Sequence, residues 1–494
     1  MLQFLRKEAN FTTTENGALT HFTSGSDCLD LFFRAGGMRG AAAGQIADIV
    51  SRAYIEDPVK TMKILFFVRD VRGGLGERRF FRIAVQTVAA IAPDSVRRNL
   101  PLFAEYGRFD DVCALLGTSC EPDAVALIRT QFQADATAME QGRPVSLLAK
   151  WMPSVNASSA ETRAAGRKLA KALGMNEKQY RRSLSALRRY LDILENRLRT
   201  GDYTFSYEAQ PSGAMLKYRR AFIRNDGERY GAYLSAVERH EAVMHADTLY
   251  PYSIIRACDV NWNGKPRHAV SAEERRALNA AWMNLPQYGG SAENALAVVD
   301  GSGSMYTECC TPRPIDAAMS LGIYFAEHNR GAFAGHFITF SEHPRLVALK
   351  GSDIYEKALY CAGYNECANT NLEAVFDLIP RTAQKNRLPQ SDMPAKLYII
   401  SDMEFDACAR GGSDLTMFME MHRRYTASGY RLPQIVFWNV ASRHQNIPVS
   451  LTQTGAVLVS GASPVIFDMV MNGEVSPELV MNHIIESERY AKVS

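Results

Sequence analysis

The 494-residue sequence has no long hydrophobic run, and none of its segments approaches the ~18 apolar residues that a membrane-spanning helix requires. The first ten residues also lack the apolar core and the small-residue cleavage site of a secretory signal. With 47% hydrophobic and 22% charged residues, the composition is that of a globular protein. We therefore expect a cytoplasmic protein that has no membrane partner.

Motifs of the common hydrolases and nucleotide-binding enzymes are missing as well. The sequence contains no His-Glu-x-x-His, and neither Ser302 nor Ser304 stands in a Gly-x-Ser-x-Gly. The glycine-rich segment 69–79 has the spacing of neither a P-loop nor a dinucleotide-binding loop. None of the nine cysteines forms a Cys-x-x-Cys pair, which argues against a zinc site and for free thiols. We expect no catalytic residue and no enzymatic activity.

What the sequence does contain is a short apolar run that ends in a cluster of oxygen-bearing side chains. Residues 295–300 read as a buried parallel strand, and Asp300-Gly-Ser302-Gly-Ser304 follows at its end. One carboxylate and two hydroxyls on a tight loop suit a hard divalent cation, Mg²⁺ before Ca²⁺. This Asp-x-Ser-x-Ser pattern resembles the metal-ion-dependent adhesion site of von Willebrand factor A (vWA) domains.

A site of that kind needs further ligands from later loops, and two candidates occur in the expected order. Thr370 precedes a helical pattern, and Asp402 ends a second apolar strand, residues 396–402. Because sites in an open α/β sheet form beyond the carboxyl ends of the strands, the three loops are expected to converge. The alternative is that the two aspartates cap turns and the serines begin a helix. The predicted metal ligands are Asp300, Ser302, Ser304, Thr370 and Asp402.

The spacing of apolar residues along the chain changes near residue 286. From about 40 to 285, apolar residues recur at three- and four-residue spacing without a fixed repeat, which favours an α-helical repeat domain over residues 1–285. From 286 to 494, strands alternate with helices, as in a doubly wound α/β domain. The strands are predicted at 295–300, 334–341, 396–402, 434–440 and 455–461, and the helices at 314–328, 371–383, 414–427 and 476–491.

Positive charge is concentrated in one part of the helical region. Residues 161–200 carry eleven basic and four acidic side chains, a net charge of +7, whereas the whole chain has +3. Such a run is either a solvated helix face or an electrostatic footprint for nucleic-acid phosphates.

Three helix junctions also combine aromatic and basic side chains, which suits base stacking or a packed corner equally well. They are Tyr106-Gly-Arg108-Phe-Asp110-Asp111, Lys150-Trp151-Met-Pro153 and the segment 218–224. The Arg69–Arg79 segment is either a phosphate-binding loop or a structural turn held by Arg–Asp and Arg–Glu pairs. On charge alone, the candidate RNA-binding residues are Arg72, Arg78, Arg79, Lys150, Arg167, Lys168, Lys171, Arg181, Arg182, Arg188, Arg189, Arg219 and Arg220.

Several segments together resemble the DUF2828 group of vWA-containing proteins, over essentially the whole chain. They are Glu15-Asn-Gly-Ala-Leu-Thr, Cys28-Leu-Asp-Leu-Phe-Phe, Arg69-Asp70-Val-Arg72-Gly73-Gly74, Tyr106-Gly-Arg108-Phe-Asp110-Asp111, Ala149-Lys150-Trp151-Met-Pro153, Asp300-Gly-Ser302-Gly-Ser304 and Asn369-Thr370-Asn-Leu-Glu-Ala-Val-Phe. A helical array followed by a vWA domain is also the plan of the TROVE-domain proteins, the Ro-like ribonucleoproteins, which this chain resembles in architecture and metal motif.

The resemblance to Ro-like proteins implies a HEAT-like helical array that closes into a ring, with a small non-coding RNA as partner. In those proteins the basic surface binds structured RNA, and single-stranded RNA ends enter the central hole. We therefore expect an RNA-binding scaffold with a Mg²⁺ or other divalent-cation site. The alternative is a metal-dependent protein-interaction module, in which a partner carboxylate completes the cation's coordination.

Overall fold

The computed structural model describes residues 10–261, 265–266, 268–288, 294–308, 310–340, 343–364, 371–406, 416–470 and 475–494. The chain forms two compact units. The sheet unit contains residues up to 42, 73–75 and 211–487, and the helical unit contains residues 43–72, 76–210 and 488–494. Each unit is therefore built from segments that are distant in the sequence.

The helices follow one another with short connections. They are α1 (Asp27–Ala35), α2 (Ala43–Glu56), α3 (Pro58–Arg69), α4 (Arg78–Ile91), α5 (Pro93–Asn99), α6 (Phe103–Tyr106), α7 (Phe109–Val112), α8 (Glu121–Glu140), α9 (Leu148–Trp151), α10 (Ala160–Ala172), α11 (Glu177–Tyr190), α12 (Leu194–Thr200), α13 (Ser212–Glu238), α14 (Pro251–Ala257), α15 (Ala272–Met283), α16 (Pro314–His328), α17 (Ile354–Ala362), α18 (Leu372–Asn386), α19 (Met417–Ala427), α20 (Ile466–Met469) and α21 (Pro477–Ile485).

The strands are fewer, and most of them lie after residue 294. They are β1 (Phe11–Thr13), β2 (Leu19–His21), β3 (Val260–Asn261), β4 (Lys265–Pro266), β5 (Ala295–Asp300), β6 (His336–Phe340), β7 (Arg345–Ala348), β8 (Lys396–Ser401), β9 (Gln434–Asn439) and β10 (Ala456–Ser460).

Six of these strands form one sheet in the order β10-β9-β8-β5-β6-β7. Five strands run parallel, and β7 pairs antiparallel with β6 at one edge. Every residue of β5, β8, β9 and β10 is buried, as expected for central strands that are covered on both faces. Helices α1, α16 and α21 pack against this sheet.

The helical unit has an aromatic core. The rings of Phe66, Phe81, Phe103 and Tyr106 pack edge to face, with centroids 5.1 to 5.9 Å apart. Helix α3 begins at the N-cap Asp57, whose carboxylate accepts a hydrogen bond from the backbone N–H of Lys60 at 2.8 Å. Burial of the apolar sides of these helices holds the unit together.

The segment 488–494 completes the helical unit. The guanidinium of Arg489 binds the carboxylate of Asp70, with Nη2 2.7 Å from Oδ1, and the Tyr490 hydroxyl donates to Asp70 at 3.1 Å. The backbone N–H of Ser494 donates to Asn99 Oδ1 at 3.0 Å. Since Asp70 is fully buried, these contacts compensate a carboxylate that water cannot reach.

Residues 10–42 join the sheet unit through backbone contacts. The Ser460 hydroxyl donates to the Phe32 carbonyl at 3.1 Å, and the Gly36 N–H donates to the same hydroxyl at 3.1 Å. A Cβ at Gly36 would lie 2.5 Å from the backbone N of Gly461. The glycine at position 36 is therefore required by close approach of two backbones.

We expect Gly36→Ala to destabilise the sheet unit by about 1–3 kcal/mol, because the added methyl group forces the two backbones apart. Gly231→Ala in α13 is the matched control in the same unit, since a Cβ there has no atom within 4 Å. This control is expected to stabilise by about 0.5–1 kcal/mol. Urea unfolding followed by tryptophan fluorescence measures both effects, and equal midpoints for the two variants would contradict the expectation.

The predicted order of a helical region followed by an α/β region is confirmed. All five predicted strands occur, and the four predicted helices correspond to α16, α18, α19 and α21. Before residue 40 the predictions missed α1 and the hairpin β1–β2, and after 286 they missed β7 and α17. The boundary predicted at residue 286 does not coincide with the division into compact units. Residues 211–285 belong to the same unit as the sheet.

Within the described residues, no helix has the length and apolar character needed to cross a bilayer. The cysteines that the structure describes are free thiols: Cys28, Cys113, Cys120, Cys258, Cys310 and Cys361.

Candidate metal centre and basic helices

The candidate metal centre lies where two neighbouring parallel strands end. Strand β5 pairs with β8, with Val299 opposite Ile400, so the side chains that follow these two residues meet at one edge of the sheet. Asp300 is the last residue of β5, Ser401 is the last residue of β8, and Asp402 follows Ser401 directly. The β-sheet topology therefore brings carboxylates together that are a hundred residues apart.

Hydrogen bonds fix the carboxylate of Asp300. Its Oδ1 accepts the backbone N–H of Ser302 at 2.9 Å, and its Oδ2 accepts the hydroxyl of Ser401 at 2.5 Å. The hydroxyls of Ser302 and Ser304 lie 3.1 Å apart. These contacts hold the carboxylate and both serines of the Asp-x-Ser-x-Ser motif in one small volume.

Asp402 is anchored to the same cluster. The hydroxyl of Ser304 hydrogen-bonds to its carboxylate, and its Oδ1 accepts the backbone N–H of Glu404 at 3.3 Å. The next residue, Met403, is buried and has a left-handed backbone with φ of 66°. Such a conformation is unfavourable for a non-glycine residue, and here it belongs to the sharp turn that follows Asp402.

The two carboxylates are buried in a way that disfavours their negative charge. Burial, together with the nearby charge of Asp402, raises the pKa of Asp300. Burial also raises the pKa of Asp402, although Arg443 and the Ser304 hydroxyl act in the opposite direction. A bound divalent cation reverses this effect by favouring the ionised forms. Two carboxylates and two hydroxyls thus fit a hard cation by donor type and by charge.

A second set of charged residues surrounds Asp402. The guanidinium of Arg443 bridges two carboxylates, 3.0 Å from Asp402 Oδ2 and 2.9 Å from Glu15 Oε2. Glu404 is fully buried, and its carboxylate accepts the Glu15 backbone N–H at 2.7 Å and lies 3.0 Å from His444 Nδ1. Ligand atoms of Glu15, Glu404 and His444 lie within 4.8 Å of one another.

The structure therefore brings together four of the five predicted metal ligands, Asp300, Ser302, Ser304 and Asp402. Thr370 lies outside the described residues. No sequence pattern assigned Arg443 or Glu15 to the site, because only the three-dimensional fold places Arg443 between Asp402 and Glu15. Ser401 was adjacent to a predicted ligand, and its role depends on the pairing of β5 with β8.

The candidate RNA-binding residues belong mostly to the helical unit. Arg72 follows α3, Arg78 and Arg79 begin α4, and Lys150 lies in α9. The other candidates of this unit lie in α10 and α11. On α10 and α11, five of the candidates are exposed and have no ion-pair partner in the part of the chain that the structure describes: Lys168, Lys171, Arg181, Arg182 and Arg189.

Other members of the predicted set use their side chains within the protein. Arg188 donates to Ala149 O and Met152 O at 2.7 Å and to Ser154 Oγ at 2.6 Å. In the sheet unit, Arg219 and Arg220 both bind Glu274, at 2.6 and 2.8 Å.

Arg72 donates to the Glu105 carbonyl at 3.2 Å, and Arg167 lies 3.2 Å from Glu177. The aspartates of the helix junctions are also paired, because Arg69 binds Asp111 at 2.7 Å. Arg69 and Asp70 are thus held by Arg–Asp pairs, as the structural interpretation of the Arg69–Arg79 segment expects for these two residues.

Comparison with known proteins places the helical region in a family. A model described as Domain of unknown function (DUF2828) matches residues 14–126 and 109–287. A second model, described as Domain of unknown function (DUF7788), matches residues 294–492. Because the first model covers more than half of the 494 residues, the chain belongs to the DUF2828 family. The predicted resemblance to DUF2828 is confirmed there, whereas residues 294–492 match the other model.

A relative of the whole chain occurs in a giant virus. The chain is 28% identical over 524 residues to "Uncharacterized protein L728" of Acanthamoeba polyphaga mimivirus, and the match covers 97% of this chain and 88% of the relative. The similarity therefore spans both the helical region and the sheet region. The likeness to Ro and to vWA domains stays a prediction.

Proposed function

We propose that this protein is an RNA-binding scaffold of Ro type, whose helical repeats carry the RNA and whose vWA-like sheet unit binds a divalent cation. The ligand is a structured small RNA or a single-stranded RNA end. The observation that carries the proposal is the set of exposed, unpaired basic side chains on α10 and α11.

The two sides of α11 differ in character. Tyr180, Leu184 and Leu187 are buried at helical spacing and anchor the helix in the unit. Arg181, Arg182 and Arg189 are exposed, and no acidic side chain among the described residues neutralises them. Exposed arginines without ion-pair partners lower the stability of the protein little while they are hydrated. Each of them can replace a counterion on a phosphate. Hence this face suits a polyanion better than it suits a protein core.

The cation site complements the RNA surface in this proposal. Asp300, Ser302, Ser304 and Asp402 would hold the ion, with Mg²⁺ as the cation their oxygens suit best. When bound, the cation supplies positive charge at the sheet edge and a coordination position for a carboxylate or water. The chain's own contribution is to fix the two aspartates through the Ser302 N–H, the Ser401 hydroxyl and the Glu404 N–H.

We expect the double variant Arg181→Gln/Arg182→Gln to bind structured RNA about tenfold more weakly at ~0.1 M salt, since two phosphate contacts are lost. The slope of log affinity against log salt should fall by about one to two. Filter binding over a range of salt concentrations measures both quantities.

The matched control for that experiment is Arg52→Gln/Arg97→Gln in the same unit. It removes the same charge, but these arginines already pair with Asp48 at 3.6 Å and with Asp94 at 2.7 Å. If the control and test variants weaken binding equally, net charge and not this face attracts RNA. If the unaltered protein binds RNA with an affinity that salt does not change, phosphate-driven binding is wrong.

A second candidate function is a metal-dependent protein-interaction module. It is favoured by the convergence of Asp300, Ser302, Ser304 and Asp402 at the sheet edge, where a partner's carboxylate would complete the coordination of the cation. Under this alternative, partner binding requires the cation and is indifferent to the basic helices.

A further inference from the structure

Two of the aromatic and basic helix junctions meet in the helical unit. The guanidinium carbon of Arg108, which precedes α7, lies 4.1 Å from the centroid of the Trp151 ring at the end of α9. The ammonium of Lys150 lies 5.5 Å from the same ring. Helices α7 and α9 pack against each other, which brings the two junctions together.

Among the described residues, no side chain or carbonyl accepts a hydrogen bond from the half-buried Arg108 guanidinium. The acidic residues of its own helix are used by neighbours, since Arg82 binds Asp110 and Arg69 binds Asp111, each at 2.7 Å. In the part of the chain that the structure describes, no carboxylate lies within ion-pair distance of the Arg108 guanidinium. Its hydrogen-bonding groups are therefore available to a ligand.

Positive charge exceeds negative charge around Arg108. Burial and the positive charge of Arg78 both lower the pKa of Arg108, and the charges of Asp110 and Asp111 offset this only in part. Arg78 is exposed at the first position of α4 and has no ion-pair partner among the described residues. Two arginines that repel each other beside a lysine form a place where an anion is stabilised.

The aromatic platform is held in place by the protein. Arg188 donates to the carbonyls on either side of the Lys150–Trp151 pair, those of Ala149 and Met152. At the other end of α9, Ser146 is fixed by the buried Asp135, which accepts its N–H at 2.9 Å and its hydroxyl at 2.6 Å. The ring and the guanidinium stacked on it are thus preorganised, so little ordering is needed when a ligand binds.

We propose that Arg108, Trp151, Lys150 and Arg78 form a binding site for a phosphate group of a single-stranded nucleic acid, a subsite that rests on the RNA-binding function proposed above. Arg108 lies over the Trp151 ring and presents its N–H groups to the phosphate oxygens, which a planar guanidinium binds in pairs. Lys150 and Arg78 supply the remaining charge. The polymer is favoured over a free anion because the neighbouring helices α10 and α11 extend the positive charge.

The test uses the full chain and a ten-nucleotide oligouridylate as the probe. We expect Arg108→Gln and, separately, Arg78→Gln to bind the probe at least tenfold more weakly, and Arg108→Lys to fall between the unaltered protein and Arg108→Gln. Arg78 is exposed, so its replacement leaves the fold intact and keeps the test valid should the Arg108 variants fold poorly. Arg97→Gln, an ion-paired arginine of the same unit, should bind normally.

Tryptophan fluorescence shows whether the probe reaches this site. Of the four tryptophans, Trp151 should give the emission change on probe binding, and Trp151→Phe should abolish that change. If the Arg108 and Arg78 variants bind the probe normally, the subsite is wrong, although RNA binding through α10 and α11 stands. If the unaltered protein binds neither the probe nor structured RNA at low salt, the proposed function fails. If inorganic phosphate binds as tightly as the probe, the site is one for free anions.

Discussion

Asp111→Asn is expected to destabilise the helical unit by about 3–5 kcal/mol, because the substitution leaves a buried arginine without its counterion. The side chains of Arg69 and Asp111 are 2% and 0% exposed, so water cannot take over the lost interactions. The carboxylate of Asp111 binds Arg69 through both Nε and Nη2 at 2.7 Å. It also accepts from Arg82 Nε at 2.7 Å and from the backbone N–H of Arg108 at 3.0 Å.

The network has no room to rearrange around a replacement. A Cβ at Gly107 would already contact Asp111 Oδ2 and lie 2.8 Å from Arg69 Nε. Close packing of this kind prevents a side chain or water from moving in to satisfy Arg69. The full cost of an unpaired buried charge should therefore appear in the stability of the unit.

Hydrogen exchange of peptides from α3 and α4 measures the stability of the helical unit separately from that of the sheet unit. Asp94→Asn serves as the control, since Asp94 binds Arg97 at 2.7 Å on the surface and is 78% exposed. An exposed pair of this kind contributes about 0–1 kcal/mol. If the amides of α3 and α4 exchange as slowly in Asp111→Asn as in Asp94→Asn, the buried network does not stabilise the helical unit as described.

The second large effect is expected at the sheet edge, where Asp300→Asn should weaken Mg²⁺ or Mn²⁺ binding more than a hundredfold. The substitution keeps the shape of the side chain and removes the charge of a fully buried candidate ligand. Asp402 alone cannot compensate, because Arg443 already lies 3.0 Å from its Oδ2. Isothermal titration with each cation measures the loss.

Asp392→Asn is the matched control for the cation experiment, because Asp392 is an exposed carboxylate of the same unit. Cation binding that survives Asp300→Asn would place the ion elsewhere, for instance at Glu15, Glu404 and His444. The same pair of variants separates the two candidate functions. A protein partner captured by the unaltered chain, and lost both with EDTA and with Asp300→Asn, favours the interaction module.

Much of the fold follows from local sequence patterns, and the exceptions have physical causes. Strands β5 and β8 are mostly apolar runs, with Asp300 at the end of β5 and Asp402 just after β8, so both the strands and the ends that carry the candidate site were predictable. Strand β7 was missed because three of its four residues are at least partly exposed, and its pattern is weak. Whether α1 packs on the sheet depends on the close approach of Gly36 to Gly461, which no periodicity reveals.

In the candidate sites, too, groupings of residues close in the sequence were predictable, whereas contacts between distant residues were not. The candidate ligands Asp300, Ser302 and Ser304 are close in the sequence, and their grouping was visible there. The contact of Arg443 with Glu15 joins residues from opposite ends of the chain, and only the folded backbone brings Glu15 to the arginine that also binds Asp402. Charge counting found the basic helices, but it could not separate the exposed Arg189 from Arg188, which binds backbone carbonyls.

The position of residues 488–494 bears on how the protein can be dissected. A fragment of residues 43–210 would contain α2 to α12. It would lack Arg489 and Tyr490, which bind the carboxylate of Asp70. Asp70 would then remain buried beside only the backbone N–H groups of its own turn, and the isolated fragment would be weakened at its centre. Functional work on the helical unit therefore requires either the intact polypeptide or a fragment to which the missing seven residues have been rejoined.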